Sequence, residues 1–422
     1  MKKIFFHTLG CKVNYCDTEA LKEQAINNSL IITNNPLEAN YIVINTCTVT
    51  KNADKKSRYY INYYKKKNPN AKIIITGCLA STNFNELKQK NRYVYTNKEK
   101  TNLIEILLKK INPDENLNEK FFKSYSTTDR TRAFLKIQDG CDNFCSYCKV
   151  PFARGRSKNL PINEVINLIN EIHSKGFKEV VLTGINLGDF GKSTNESFKD
   201  LLLTIEEKTK IERIRLSSIE VNLLDDDLIE IILNSEKFLP HFHIPLQSAS
   251  NKILKLMNRK YTAEQFFYTI EKIYKKNPYV GIGLDIIVGF PGEGEKEFLE
   301  TVNFLNKIEF SYLHVFKYSE RENTKAINLP NKVNEKEKES RAKILHSISF
   351  NKHLNFIKKN LNTNRKVLVE NRKIDNHYIS YTDNYIEIKL DCERFKPNEI
   401  HEVKLTEEMI YFGQKFRSYE LL

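Results

Sequence analysis

The sequence predicts an α/β protein in three consecutive parts: an open parallel α/β sheet, a partial (β/α)6 barrel, and a small antiparallel β-barrel. Three observations predict it. In the first 80 residues, three apolar runs each end in a polar turn that contains a cysteine, with helical composition between them. In the middle, six further strand-like runs are separated in several places by helical patterns. In the last sixty residues, apolar and polar side chains alternate between turn signals. A chain of 422 residues is long enough for each part to bury its own core. The boundaries are expected at 1–125, 126–360 and 361–422.

In the first part Ile4-Phe5-Phe6 leads to Cys11, Tyr41 to Ile44 leads to Cys47, and Ile73-Ile74-Ile75 leads to Cys78. The segments Asp17 to Asn27 and Ala53 to Lys67 have helical composition, so the order is β-α-β-α-β and the strands are parallel. Parallel strands put their C-terminal ends on one edge, where open α/β sheets bind ligands. Three thiols converging there point to a metal or cluster site, whereas Cys16 and Cys392 have no such placement and read as incidental thiols.

The net charge of +14 points to a polyanionic partner. It is concentrated at the N-terminal end: residues 1–125 carry +10, residues 126–360 carry +5, and residues 361–422 carry −1. Lys55, Lys56, Arg58, Lys65, Lys66 and Lys67, with Tyr59, Tyr60, Tyr63 and Tyr64 among them, suit phosphate contact plus base stacking. A solvated lysine-rich helix face is the competing reading. No window approaches the roughly 18 apolar residues of a membrane span, and MKKIFFHTLGCK has too short an apolar run for a signal peptide. The expected location is the cytoplasm.

The middle part opens with Phe134 to Ile137 and then a C-x3-C-x2-C loop, Cys141, Cys145 and Cys148. A structural zinc site needs four protein ligands, and no fourth Cys or His lies near. Three thiolates on one loop can instead hold three irons of a 4Fe-4S cluster and leave the fourth iron open. The later runs are Glu179 to Leu182, Ile211 to Leu216, Phe242 to Ile244, Gly281 to Val288 and Leu313 to Phe316. Polar and glycine-rich residues follow them, where barrel ligands sit: Thr183-Gly184-Ile185-Asn186, Ser217 to Glu220, His243 to Ser248, and Gly289 to Glu293.

The cysteine loop, with Tyr147 before its third cysteine, resembles the signature of the radical S-adenosylmethionine enzymes. The whole chain resembles the methylthiotransferases among them, through Thr8 to Asn14, Asn45 to Thr50, Gly77 to Ala80, Cys141 to Cys148, and His243 to Tyr261. The resemblance implies two 4Fe-4S clusters, a radical cluster on Cys141, Cys145 and Cys148 and an auxiliary one on Cys11, Cys47 and Cys78. It also implies an S-adenosyl-L-methionine pocket with Tyr147, Gly184, Asn186, Glu220, Gln247 and Ile287 as candidates. The last part, with Lys366 to Glu370, Tyr385 to Ile388 and Ile400 to Leu405, resembles the RNA-binding TRAM module.

Three substrate classes belong to that family: tRNA with isopentenyladenosine, tRNA with threonylcarbamoyladenosine, and ribosomal protein S12. TLGCKVN, the LKIQDGCDNFCSYCKVPFARG phrase and Thr183 to Gly188 look most like the threonylcarbamoyl type. The implied partners are the tRNA anticodon region, a flavodoxin- or ferredoxin-type electron donor and a sulfur source. A non-catalytic iron-sulfur RNA-binding protein and a flavodoxin-like FMN module fused to a barrel are the readings from other classes. Ala249, Gly294 and Glu322-Asn323 depart from the family pattern, and Ala249 stands where glycine would ease a positive φ.

Overall fold

A computed structural model describes residues 1–88, 92–112, 121–127 and 130–413. The N-terminal strands are β1 (Lys3–Thr8), β2 (Ile31–Ile32), β3 (Tyr41–Thr46), β4 (Lys72–Gly77) and β5 (Arg92–Val94). They form one parallel sheet in the order β2-β1-β3-β4-β5. The sequence reading found β1, β3 and β4 but not β2 and β5, whose two and three residues are too short to show a period. The sheet is buried on both faces. Tyr41 and Val43 pack with Leu21 and Ala25 of the helix Lys12–Asn27, while Ile42 and Ile44 pack with Ile61 and Tyr64 of the helix Lys51–Lys67. This alternation is why the apolar runs are continuous.

The central part contributes β6 (Ser124–Ser126), β7 (Ala133–Lys136), the short pair β8 (Gln138–Asp139) and β9 (Lys158–Asn159), then β10 (Glu179–Thr183), β11 (Arg213–Leu216), β12 (His241–Gln247), β13 (Gly281–Val288) and β14 (Tyr312–Lys317). The six expected strands are β7 and β10 to β14, and they are parallel within two sheets. β7, β10 and β11 pair in one, with β6 antiparallel at its edge, and β12, β13 and β14 pair in the other. At the junction, Ile214 bridges Phe238 and the Ile219 N–H donates to the His243 carbonyl at 3.0 Å.

One face of these strands is apolar. Leu135, Val180, Leu182, Ile214, Leu216, Phe242, Ile244, Ile282 and Leu284 join the largest core of the molecule. The alternating positions carry Lys136, Glu179, Thr183, Arg213, Arg215, His241, His243, Asp285, Tyr312 and His314, so the second face is polar.

The helix Glu335–Asn360 leads to β15 (Asn364–Leu368), β16 (Lys373–Ile374), β17 (His377–Thr382), β18 (Glu387–Asp391) and β19 (Ile400–Lys404), an antiparallel sheet around Val367, Val369, Ile386, Ile388 and Leu405. The β17–β18 turn reaches back into the central part. Arg215 donates to the Thr382 and Asp383 carbonyls at 3.3 and 3.1 Å, and the Tyr385 ring lies 4.6 Å from His241. Glu179, Arg213, His241, Gly281 and Tyr312 are each the first residue of a strand. The C-terminal sheet therefore closes the end of the parallel strands opposite the cysteine loop.

Candidate functional site

Cys11, Cys47 and Cys78 follow β1, β3 and β4 and meet at one sheet edge. Each thiol is within electrostatic reach of another: Cys78 raises both Cys11 and Cys47, and Cys11 raises Cys47. Local chemistry fixes the three turns. Gly10 has φ +99°, and a Cβ there would lie 2.9 Å from the Cys47 sulfur; Gly77 has φ +95°, and a Cβ would lie 2.5 Å from the Thr46 carbonyl. Only glycine tolerates both conditions. Asn14 donates to the Leu9 and Thr46 carbonyls at 2.7 and 3.0 Å, and Asn45 donates to the Asn14 carbonyl at 2.8 Å, which ties two strand ends together. Ser57 clamps Cys47 by accepting from its N–H and donating to its carbonyl.

Cys141, Cys145 and Cys148 form a second group at the C-terminal end of the central strands, again in mutual electrostatic reach. Burial pushes the Cys47 thiol up to about 11 and those of Cys141 and Cys148 up to about 12. Metal binding at either group therefore has to displace protons. Arg259 works the other way at Cys145, donating to its sulfur at 3.2 Å while pairing with Glu220 at 3.1 Å. Among the described residues, only His243, Asp285 and His314 bring three ligand atoms within 4.8 Å of one another. A lone tetrahedral ion with 2.3 Å metal–sulfur bonds would hold its sulfurs about 3.8 Å apart. Neither cysteine triad closes to that span among the described residues.

The two triads are neighbours. Cys148 runs straight into the helix Val150–Arg154, whose five residues rise about 8 Å. At its end the Arg154 guanidinium lies in the field of Cys11 and Cys78. Asn97 bridges the same gap, donating to the Ala153 carbonyl at 2.8 Å with the Cys78 sulfur 4.0 Å away.

Arg154 belongs to a buried charge network. It pairs with Asp139 at 2.8 Å and with Asp17 at 3.2 Å, and Asp17 also receives Lys100 at 2.8 Å and Lys136 at 2.5 Å. Burial opposes ionisation of Asp17, but these three cations outweigh it and hold the carboxyl well below its usual range. Three cations against two carboxylates leave one positive charge beside the first triad, a field that favours thiolate and any anionic cluster.

The candidate pocket residues fall between these groups. Asn186, after β10, is buried, and neither its Nδ2 nor its Oδ1 has a partner among the described residues. Buried amides are almost always satisfied, so this one calls for a polar partner that the described residues do not supply. Gly184 sits beside Gln138, whose Oε1 accepts from the N–H groups of Ile185 and Asn186 at 2.8 and 2.9 Å. Glu220 accepts from Asn143 at 2.8 Å. Gln247 has φ +65° at a register shift of β12, while Tyr147 and Ile287 pack in the cluster of Ile253, Met257 and Phe290. All lie at or beyond the C-terminal halves of parallel strands.

Several expectations change. Lys55, Lys56, Lys65, Lys66 and Lys67 are exposed, but Arg58 is engaged by Glu86 at 2.5 and 2.8 Å. Tyr64 is buried against His7 and Tyr60 and Tyr63 pack on the core, because helical spacing turns them towards the sheet; of the four tyrosines only Tyr59 is exposed. Ala249 does not take a positive φ, and its N–H donates to Thr301 at 3.1 Å. Gly294 starts the helix Glu295–Lys307 with φ −79°, and Asn323 supplies a left-handed turn at φ +62°. Sequence reasoning missed Arg259 as a sulfur contact, although Met257-Asn258-Arg259 stood inside a noted motif, and it missed Asp17, Lys100, Lys136 and Arg154 entirely.

Residues 135–305 match the model of the radical SAM superfamily, and residues 3–96 match the uncharacterized protein family UPF0004. Among curated proteins, the chain is 39% identical over 401 residues to the threonylcarbamoyladenosine tRNA methylthiotransferase MtaB of Aquifex aeolicus, covering 92% of this chain and 96% of that one. The MtaB of Bacillus subtilis is 37% identical over 92% of this chain and 90% of its own. The tRNA-2-methylthio-N(6)-dimethylallyladenosine synthase of Alkaliphilus oremlandii is 35% identical over 81% and 76%. Two solved structures share the fold at low identity. The radical S-adenosylmethionine methyltransferase TsrM of Kitasatospora setae has a TM-score of 0.56 at 11% identity, over 75% and 73% of the chains. The cobalamin-dependent radical enzyme OxsB has 0.51 at 14%, over 85% and 56%. The loop triad, the strand-end triad and relatives 37–39% identical over 92% of its length place the chain in the radical S-adenosylmethionine methylthiotransferase family.

Proposed function

We propose that this enzyme adds a methylthio group to C2 of N6-threonylcarbamoyladenosine beside the anticodon of tRNA. The observation that carries the reading is the adjacency of two cysteine triads across the helix Val150–Arg154, with the MtaB relatives supporting the substrate. Cys141, Cys145 and Cys148 would hold a 4Fe-4S cluster with one open iron, and Cys11, Cys47 and Cys78 a second cluster. With S-adenosylmethionine bound, these groups supply hydrogen abstraction at the base and the methylthio unit to be transferred.

The chain's own work is placement and charge. Arg259 holds Cys145 and Glu220 in register, Asn186 offers an unsatisfied amide to S-adenosylmethionine, and the Arg154 network keeps a positive field at the first triad. Tyr147, Gly184, Gln247 and Ile287 complete the S-adenosylmethionine pocket. The division at 1–125, 126–360 and 361–422 gives a cluster-bearing sheet, a barrel-like radical domain and a TRAM-like RNA-binding sheet. The exposed lysines of the helix Lys51–Lys67 contribute salt-sensitive RNA contacts. A flavodoxin- or ferredoxin-type donor and a separate sulfur source act with it in the cytoplasm.

Nucleoside mass spectrometry on tRNA from a host that lacks its own tRNA methylthiotransferases and expresses this chain tests the reading. The expected peak is methylthio-threonylcarbamoyladenosine. A methylthio-isopentenyladenosine peak overturns the substrate, and neither peak from iron-loaded protein shifts the function to ribosomal protein S12 or to RNA binding.

A further inference from the structure

The polar face of the central strands carries a buried charge cluster at its strand-start end. Glu179 is shared by Arg213 at 2.8 Å, Arg215 at 3.1 Å and Arg132 at 3.9 Å, and Arg132 also binds Glu370 at 2.9 Å. Asp383 adds a third carboxylate in the field of Arg213 and Arg215, and it pairs with Arg365 at 3.8 Å. Lys12, the residue after Cys11, adds a further cation to the same space: its charged and titratable neighbours are Tyr385, Arg132, Arg215 and Cys11. Among the described residues its ammonium meets only the Phe134 ring, 5.8 Å from the centroid, and no carboxylate.

Lys12 and Cys11 are solvent-accessible, yet their neighbours are the strand-start arginines and the buried network of the interior. Lys12 therefore stands at the seam between the first triad and the polar face of the strands. A cation beside the first triad with no carboxylate partner among the described residues is suited to an anion carried by the substrate.

The proposed substrate supplies one. A threonyl group joined through its nitrogen to a carbamoyl keeps a free carboxylate, whereas an isopentenyl group is uncharged. We infer that Lys12 recognises that carboxylate, with Arg132 and Arg215 supporting the field behind it, and so selects the amino-acid-bearing adenosine over the isopentenyl one. This inference rests on the substrate reading above, and the test separates the two.

The experiment compares two synthetic anticodon stem-loops, one with threonylcarbamoyladenosine and one with its neutral methyl ester, on wild-type, Lys12→Gln and Lys12→Arg holoenzyme. Losing a charge-assisted contact should lower kcat/KM on the carboxylate stem-loop about tenfold to a hundredfold, mostly through KM. The ester should change less than about threefold, and Lys12→Arg should restore most of the loss. Iron content and S-adenosylmethionine cleavage without RNA are read in parallel and should stay at wild-type levels. Equal losses on both stem-loops, or a fall in iron that accounts for the loss, would assign Lys12 to the cluster and overturn the inference. Wild-type enzyme that modifies neither stem-loop overturns the substrate reading itself.

Discussion

The two cysteine triads bring three thiols together by opposite routes. Cys141, Cys145 and Cys148 lie within eight consecutive residues, so one loop fixes their spacing. Cys11, Cys47 and Cys78 are separated by more than thirty residues each and meet only because β1, β3 and β4 are adjacent and parallel. The first triad depends on global topology and the second on a local turn. Their supports differ accordingly: Arg259 makes one contact to the loop triad, whereas the strand-end triad is backed by a five-residue charge network drawn from both parts of the chain.

The largest expected effect separates the two chemically. Cys141→Ala should abolish S-adenosylmethionine cleavage, and with it all modification. Cys47→Ala should keep cleavage and lose transfer of the methylthio group. Chromatography of 5′-deoxyadenosine alongside nucleoside mass spectrometry reads both. Cleavage that survives Cys141→Ala, or that vanishes with Cys47→Ala, removes the division of labour.

The next effect tests the network. Asp17→Asn leaves Lys100, Lys136 and Arg154 facing only Asp139, and breaking a buried ion pair on one side typically costs about 3–5 kcal/mol. Thermal unfolding should fall markedly, and iron at the strand-end triad should be lost before iron at the loop. A variant within about 1 kcal/mol of wild type would mean that Asp17 is not ionised, and the charge account of the first triad would fail.

How far each region was legible in the sequence follows from the same contrast. The loop triad could be read directly, since its three cysteines share one short turn. The strand-end triad could be read indirectly, because apolar runs before each cysteine imply parallel strands, and parallel strands imply one edge. The charge network left no such trace: Asp17, Lys100, Lys136 and Arg154 are far apart, and each looks like an ordinary surface residue until the fold buries it. The tyrosines of the helix Lys51–Lys67 misled for a related reason, since composition shows aromatic rings among lysines but not which helical face meets the sheet. The insertion of Tyr385 against His241 was equally hidden, because it joins residues 144 positions apart at a left-handed turn.

A third charged cluster, which includes none of the six cysteines, provides the smallest and most controlled comparison. Glu179 is buried, and burial opposes its ionisation, but Arg215, Arg213 and Arg132 outweigh this and pull its carboxyl from 4.5 down to about 2. A depressed carboxyl contributes stability that is fully present above its unfolded value and is lost as pH falls towards the folded one. The difference corresponds to an amount on the order of 3 kcal/mol, present at pH 6 and fading between about pH 5 and 2. Unfolding of Glu179→Gln beside wild type isolates it, because every other carboxyl titrates in both proteins. The stability gap should be widest near neutrality and narrow as the solution is acidified, while iron at both triads stays in place at neutral pH. A gap independent of pH would show that Glu179 contributes through packing and hydrogen bonds alone.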